Sequence, residues 1–429
     1  MPELGPSPLT RGDELPVAAA RAAIAAALQS LPRRASEWVP LTQSDGRILA
    51  EDLVSPIAVP AHDNSAMDGY AFRGSDLQES TETCLQVEDG TVMAGAPHGG
   101  SVAQGQCIRI MTGAVMPDGL DTVVPIELCR VDGGQLLIAP GMLRSGENRR
   151  KCGEDLALGG VALTAGHLLR PADVGLVASL GLAQVAVMTR LRVALFSTGD
   201  ELRQPGEAAA PGSIYDSNRF SLMAALNRLG VEVHDLGAVP DDPAALRATL
   251  NTAVRTCDAV VTSGGVSMGD ADYTRHLLSE MGEVSFWKVA MRPGRPFAFG
   301  PLRAPDGRTP LLFALPGNPV AALVTFYAFA RDALMVLAGA KPRPLPVLRA
   351  RSVAAIRKRP GRTEFQRAVV FPSPEADANG EWHVRVTGGQ GAGILHSMSE
   401  ANALLVLGHD QGSVAAGDLV EVWLFDGLV

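Results

Sequence analysis

The chain contains no C-x-x-C pair, no G-x-G-x-x-G and no Walker A lysine, and each absence removes a class of function. Its five cysteines, Cys84, Cys107, Cys129, Cys152 and Cys257, are scattered and odd in number. Such a set suits a reducing compartment and supplies neither a disulfide framework nor a structural zinc site. The missing fingerprints take away the ordinary sequence warrant for an NTPase or a dinucleotide-dependent enzyme. Basic residues are outnumbered, 37 Lys and Arg against 46 Asp and Glu, for a net charge of -9. No nucleic-acid partner is therefore expected, because phosphate backbones are held by clustered cations. Outside the alanine-rich segment 17-VAAARAAIAAALQSL-31 no run of ~18 apolar residues is apparent. That segment carries Arg21, follows Asp13 and Glu14 and lacks a basic start, so it reads as an amphipathic helix rather than a signal sequence. The expectation is a cytoplasmic protein without a membrane span.

What is present is globular. With 429 residues, 46% of them hydrophobic and 19% charged, the chain is too long for one core and too apolar for disorder, so several folded domains are expected. Residues 39–140 carry short alternating runs, such as 106-QCIRIMTG-113 and 121-DTVVPIEL-128, between Gly/Pro turns, and read as β structure. A strand at 161–166 and a helix at 171–181 follow. Between 190 and 339 the pattern changes: strands at 192–197, 231–239, 258–263 and 311–315 alternate with helices at 218–230, 243–254, after Asp272, and from 319 to 337. This predicts a parallel sheet with helices on both faces. The stretch 341-KPRPLP-346 reads as a linker, and strand-like runs at 364–371, 382–388, 403–408 and 419–425 predict a C-terminal β-barrel or sandwich.

Two strands of the α/β region end in Gly/Ser/Thr loops that present carboxylates. The segment 193-VALFSTGDEL-202 offers Asp200 and Glu201, and 259-AVVTSGGVSMGDADY-273 offers Asp270 and Asp272 beside Ser263, Gly264 and Gly265; Asp241 and Asp242 follow a third strand. Ligands of open α/β sheets sit outside the carboxyl ends of strands, and acids beside glycine turns suit a divalent ion held against a phosphorylated ligand. Exposed loop acids are also ordinary turn formers, so the residues alone leave the metal reading open. In 316-PGNPV-320, Pro316 and Gly317 lead to Asn318 at an N-cap and Pro319 at the first helical position. The segment starts a helix, and its free N–H groups also suit an anion. Lys288, Arg292 and Arg295 in 286-FWKVAMRPGRPFAF-299 concentrate positive charge within an acidic chain, which points to a phosphate or oxyanion. A literal G-x-S-x-G at 265-GVSMG-269 raises a serine-hydrolase reading with Ser267 as nucleophile. A nucleophile elbow needs its strand to run straight into the turn, whereas this apolar run ends at Val261, and none of His276, His383, His396 and His409 has a recognisable context.

The run 63-DNSAMDGYAF-72 has no periodicity that fold pressure would explain. With 110-IMTGAVMPDGLDTVV-124, 146-GENRRKCGED-155, 197-STGDEL-202, 263-SGGVSMGDADY-273, 287-WKVAMRPGRPFAFG-300, 315-LPGNPV-320 and 361-GRTEFQRA-368, it resembles the molybdopterin molybdenumtransferase family, which includes the bacterial enzyme and the E domain of gephyrin. The resemblance implies an elongated homodimer with four subdomains per chain. These are a discontinuous connecting region at 1–60 and 141–189, a β-rich domain at 61–140, a three-layer α/β molybdopterin-binding domain at 190–340 and a C-terminal β-barrel at 341–429.

The same resemblance implies a transferase of molybdenum cofactor biosynthesis that takes adenylylated molybdopterin and molybdate, inserts molybdenum and releases AMP, aided by Mg²⁺. Molybdopterin is then a substrate rather than a resident cofactor, and a molybdopterin adenylyltransferase is an expected transient partner. Carried over by position, the resemblance implies catalytic roles for Asp68, Asp155, Glu201 and Asp241, and metal ligation by Glu201 and Asp272. It implies substrate contacts from Thr112, Ser263, Gly264, Gly265, Lys288, Arg292, Pro316, Gly317, Asn318 and Arg362. Arg149 stands where an aliphatic residue is usual, and Arg292 and Arg295 where lysines are; the last two keep the charge and add a bidentate fork. A non-catalytic pterin-binding or scaffolding protein on the same fold is the alternative, and retention of the acids favours the enzyme.

Overall fold

The computed structural model describes residues 14–29, 32, 34–265, 271–343, 345–373 and 381–426, without the side chains of 271–273. Its centre is a six-stranded sheet in the order Glu232–Val239, Arg192–Thr198, Ala259–Ser263, Leu311–Leu315, Pro296–Pro301, Ser285–Lys288. Apolar residues fill both faces of these strands, so successive side chains feed two separate cores. Val193, Leu195, Val261 and Phe313 join one core, which is closed by helices Val17–Gln29, Ser217–Arg228 and Pro319–Leu337. Ala194, Phe196, Val260 and Leu312 join the other, under helices Pro243–Thr256 and Ala271–Met281. The result is a three-layer α/β unit. Fully buried Phe196, Phe297, Phe313 and Phe326 each contribute about 1.5–3 kcal/mol to its burial energy.

The all-parallel expectation fails at one edge. The first four strands in the sheet are parallel, but Pro296–Pro301 pairs antiparallel with both of its neighbours. The connections on either side of it, 289–295 and 302–310, are too short for the crossover of about a dozen residues that a parallel neighbour requires. Helix Pro319–Leu337 is long and apolar enough by composition to cross a membrane, a point the sequence reading passed over. Here it is a core helix: Val320, Val324, Phe326, Phe329 and Leu334 are buried, and one π-type turn interrupts it over Phe326–Ala330.

On the N-terminal side, a second six-stranded sheet runs Thr122–Pro125, Gly69–Phe72, Gln106–Ile110, Thr83–Val92, Gln135–Ile138, Arg130–Asp132. The strand expected over 121–128 stops at Pro125 and gives way to a 3₁₀ turn, Ile126–Leu128. Helix Pro171–Ser179 and strand Gln184–Met188 lie between this sheet and the α/β unit in the chain, and the latter strand pairs back with Ser36–Pro40, which precedes the sheet. At the C-terminal side, strands Thr363–Pro372, Trp382–Val386, Leu348–Ser352, Leu419–Leu424 and Ala403–Leu407 close on themselves into a five-stranded barrel. A two-residue strand of the α/β unit, Met291–Arg292, pairs in parallel with Thr363 and Glu364 and so attaches the barrel by main-chain bonds.

The amino end of the central sheet is held by charge. Arg34, Arg192 and Arg308 approach the Asp258 carboxylate at 3.1, 3.2 and 3.6 Å, and the Arg192 amide donates to it at 3.0 Å. Burial pushes the Asp258 carboxyl up, but the Arg192 amide and the guanidinium groups outweigh it and hold it below the usual carboxylate value. A depressed native value means that this stabilisation is complete above the unfolded value, near 4, and is lost as the pH falls through the native one. Asp258→Asn is expected to cost about 2–3 kcal/mol at neutral pH, and the gap to the wild type should narrow at about pH 3.5 or below. Urea unfolding at the two pH values measures this; a gap that does not change with pH would assign Asp258 a role in shape rather than charge.

Candidate active site

From strand Arg192–Thr198 the chain passes first to Glu232–Val239 on one side and then to Ala259–Ser263 on the other. The carboxyl ends of Arg192–Thr198 and Ala259–Ser263 are therefore a topological switch point, where open sheets bind ligands. Gly264 is required there: its φ is +96°, and an added Cβ would lie 2.6 Å from the Thr198 carbonyl oxygen. Gly199 gives Glu201 its place, since a Cβ at Gly199 would lie 2.6 Å from a Glu201 carboxylate oxygen folded back over the turn.

Ser263 is buried and donates to the Pro316 carbonyl at 3.1 Å while accepting from Asn218 Nδ2 at 2.7 Å. Asn218 Nδ2 also reaches the Gly317 carbonyl at 2.6 Å, so one amide binds two strand-end turns together. Sequence reasoning missed Asn218; its only signal was a place just after Asp216, which caps this helix by accepting from the Arg219 amide. Thr198 Oγ1, Thr262 Oγ1, Thr274 Oγ1 and Asn218 Oδ1 are buried and lack partners among the described residues, which marks this loop end as polar surface still to be satisfied. Thr198, Asp241, Gly264, Gly265 and Thr274 border one small pocket here.

A larger cleft, about 650 Å³, opens between the α/β unit and the barrel. It brings together Glu201, Arg292, Pro316, Gly317, Asn318 and Arg362. Gln390, Gly391 and Ala392, from a barrel loop not singled out in the sequence, form its far wall. Ala392 also accepts from the Val320 amide at 3.0 Å, using one of the N–H groups at the helix start. Asn318 has N-cap backbone geometry but its side chain makes no cap bond. Arg362 is not free: its guanidinium forks onto Glu14 at 2.8 and 2.9 Å, and Arg295 pairs with the same carboxylate. Glu14, an unflagged acid in the sequence, thus neutralises two of the cations expected at the ligand. Arg292 is exposed and has no side-chain partner among the described residues.

Several expected residues are not in this cleft within one chain. Asp68 lies on the N-terminal β-rich side and accepts from both the amide and the hydroxyl of Thr112, each at 2.7 Å. Those bonds, led by the hydroxyl, hold its carboxyl below the usual range. Asp155 is exposed on the connecting region, where its amide donates to the Val59 carbonyl. Lys288 is half-buried at the end of its strand, and its ammonium has no partner among the described residues. Asp200 accepts from the Asp241 amide at 3.0 Å, and Asp242 caps helix Pro243–Thr256 by accepting from the Ala245 amide, a structural duty. Ser267 and Asp270 lie outside the described residues, as does the side chain of Asp272, whose backbone is in helix Ala271–Met281. His276 is exposed and paired with Glu280, and His396 with Glu400. Among the described residues no three His, Cys, Asp or Glu side chains gather as a metal cage. Mg²⁺ uses few protein carboxylates and completes its shell with water and substrate phosphate, so Glu201 in the cleft fits a cation bridged to a phosphorylated ligand.

Known proteins share this arrangement. The chain matches, in order, the MoeA N-terminal region (domain I and II) over residues 15–181, a probable molybdopterin binding domain over 194–336 and the MoeA C-terminal region (domain IV) over 349–425. A Haemophilus influenzae protein named molybdopterin molybdenumtransferase is 38% identical over 92% of this chain and 95% of its own length. Molybdopterin molybdenumtransferase 2 of Mycobacterium tuberculosis is 36% identical over 90% and 94%. The crystal structure of a molybdopterin biosynthesis moeA protein from Pyrococcus horikoshii OT3 superimposes with a TM-score of 0.80 at 28% identity, covering 96% of this chain and 100% of that one. With the motifs in sequence order, a three-layer α/β unit and a closed barrel joined around one cleft, the chain belongs to the molybdopterin molybdenumtransferase family, transferases of molybdenum cofactor biosynthesis.

Proposed function

We propose that this transferase takes adenylylated molybdopterin and molybdate, cleaves the adenylate and joins molybdenum to the dithiolene. The observation that carries the reading is the cleft itself, where an exposed carboxylate, Glu201, and the guanidinium of Arg292, which has no partner among the described residues, share one space beside the 316–318 turn. Water adds to phosphorus, the phosphoanhydride P–O bond breaks, and AMP leaves; one molybdate oxygen departs as water, taking the two thiol protons, when the two sulfurs bond to molybdenum. Glu201 accepts the proton of the attacking water, and Arg292 faces the negative charge of the pyrophosphate or the molybdate. When bound, Mg²⁺ supplies charge neutralisation at the phosphates. The 263–265 loop holds the phosphorylated pterin from the sheet side.

Glu201→Gln keeps the shape of the side chain and is expected to lower molybdate-dependent AMP release at least about 100-fold with normal folding. Wild-type turnover by the purified variant would remove Glu201 from the chemistry.

Asp68 and Thr112 bond to each other away from the cleft of their own chain, which supports a homodimer whose sites are completed by the partner's β-rich domain. Asp68→Ala and Glu201→Gln should each be inactive alone. Half of a fully exchanged mixture would be mixed dimers, each with one intact site, so roughly a quarter of wild-type activity should return. Subunit exchange is followed by mass spectrometry and activity by AMP release. Heterodimers without recovery would place Asp68 in its own chain's chemistry.

A further inference from the structure

Arg219, in the first turn of helix Ser217–Arg228, is only 3% exposed, a costly place for a charge unless its partners are fixed. Its Nε donates to Asp216 at 3.0 Å, and its two other nitrogens bond to the Asp235 carboxylate and the Gln204 side-chain oxygen. Burial pulls the guanidinium's pKa down, but the bonds to Asp235 and Asp216 outweigh it and hold the group above the ordinary arginine value. The three partners belong to three different elements. Asp216 caps the helix and accepts from the Ser197 hydroxyl at 3.1 Å, near the carboxyl end of strand Arg192–Thr198. Asp235 lies on strand Glu232–Val239, where the register against Arg192–Thr198 shifts. Gln204 is half-buried and follows Glu201 in the turn that leaves the sheet. The main chain of that turn leans on the same helix start: the Ile214 amide donates to the Glu201 carbonyl at 2.9 Å and the Asp216 amide to the Arg203 carbonyl at 3.0 Å.

We infer that Arg219 is a positioning residue for the reaction: held against the sheet by Asp216 and Asp235, it grips Gln204 and so fixes the turn from which Glu201 reaches into the cleft. The assignment rests on the role proposed above for Glu201 and adds what aims it. A helix cap alone would need only the bond to Asp216; the fork onto Gln204 contributes nothing to the cap and ties down the segment beside Glu201. Arginine suits this task because its planar, rigid fork sets several partners at fixed angles, which a lysine ammonium on a flexible stem does not. Arg219 does not itself border the cleft, so any effect it has on the chemistry passes through the turn. Such an effect can be large, since displacing a reacting group by about 1 Å slows a reaction on the order of 100-fold.

Replacing Arg219 itself would unpair two carboxylates and endanger folding, so the test acts on its far partner. Gln204→Ala removes the grip and leaves Arg219 on Asp216 and Asp235, whereas Gln204→Glu restores the grip as a charge-assisted bond. In the full-length Gln204→Ala protein, kcat for molybdate-dependent AMP release is expected to fall about tenfold or more, with the Michaelis constant for adenylylated molybdopterin and the melting temperature held. Hydrogen exchange at the Ile214 and Asp216 amides, which report the anchors of Glu201 and Arg203, should speed up about tenfold or more. Both changes should revert in Gln204→Glu. In a Glu201→Gln background, Gln204→Ala should cost no further activity, because the group it aims is already gone. Unchanged kcat, unchanged exchange, no reversal, or a loss that adds to that of Glu201→Gln overturns the inference. A lower melting temperature with kcat retained would make Arg219 a purely structural ion pair, and this also overturns it. Failure of the proposed reaction is read separately, as the absence of AMP release by the wild type, and exchange then still decides whether Arg219 holds the turn.

Discussion

The site depends on how the barrel is fixed to the α/β unit, and a single carboxylate ties the two together where they border the cleft. Glu14 sits between Arg295 of the α/β unit and Arg362 of the barrel, while the next residue bonds to the strand carrying Lys288: the Leu15 amide donates to the Lys288 carbonyl at 2.8 Å. Burial pushes the Glu14 carboxyl up, and the bonds from Arg362 and Arg295 more than offset it and keep it below its ordinary value. The main-chain pairings of Met291 and Arg292 and a shared apolar core that includes Phe365, Met398, Leu404 and Trp423 of the barrel carry the rest of the joint. With the ion triad added, the cleft has walls from two folded bodies held in one relation.

The same arrangement explains which cations are left for a ligand. In a chain rich in acids, an arginine near a cleft is soon paired, and pairing of this kind serves structure. Arg295 and Arg362 have been drawn into the joint, whereas Arg292, in the strand that pairs with the barrel, lines the cleft with no partner among the described residues. On the sheet side the opposite holds: hydroxyls of Thr198, Thr262 and Thr274 are buried without partners among the described residues, a cost of about 1–3 kcal/mol each that a bound polar ligand can relieve.

Much of this was legible in the sequence, because the signals were local. Alternating strands and helices after residue 190 placed the α/β unit, and the glycine turns at 199 and 264 marked the carboxyl ends of two of its strands. Features set by distant pairing were not legible. The barrel strand Leu348–Ser352 reads LRARS, with arginines interrupting any hydrophobic run, because one face of it looks outward. The antiparallel edge of the central sheet follows from loop lengths more than from residue type. Glu14 and Gln390 carry no motif, and only the folded chain shows that they border the cleft residues. Asp242, by contrast, was suggestive for the wrong reason: aspartate before proline at a helix start is a cap first and a ligand second.

The contact between Glu14 and Arg362 spans 348 positions of the chain. A ribosome adding about 5–20 residues per second would leave the acid without this partner for on the order of half a minute. During that interval the sheet strands and their covering helices can form from contacts closer in sequence, but the N-terminal segment has nothing to lock onto at the barrel. The cleft is thus a late product of synthesis, assembled only when the barrel arrives to meet a residue made 348 positions earlier.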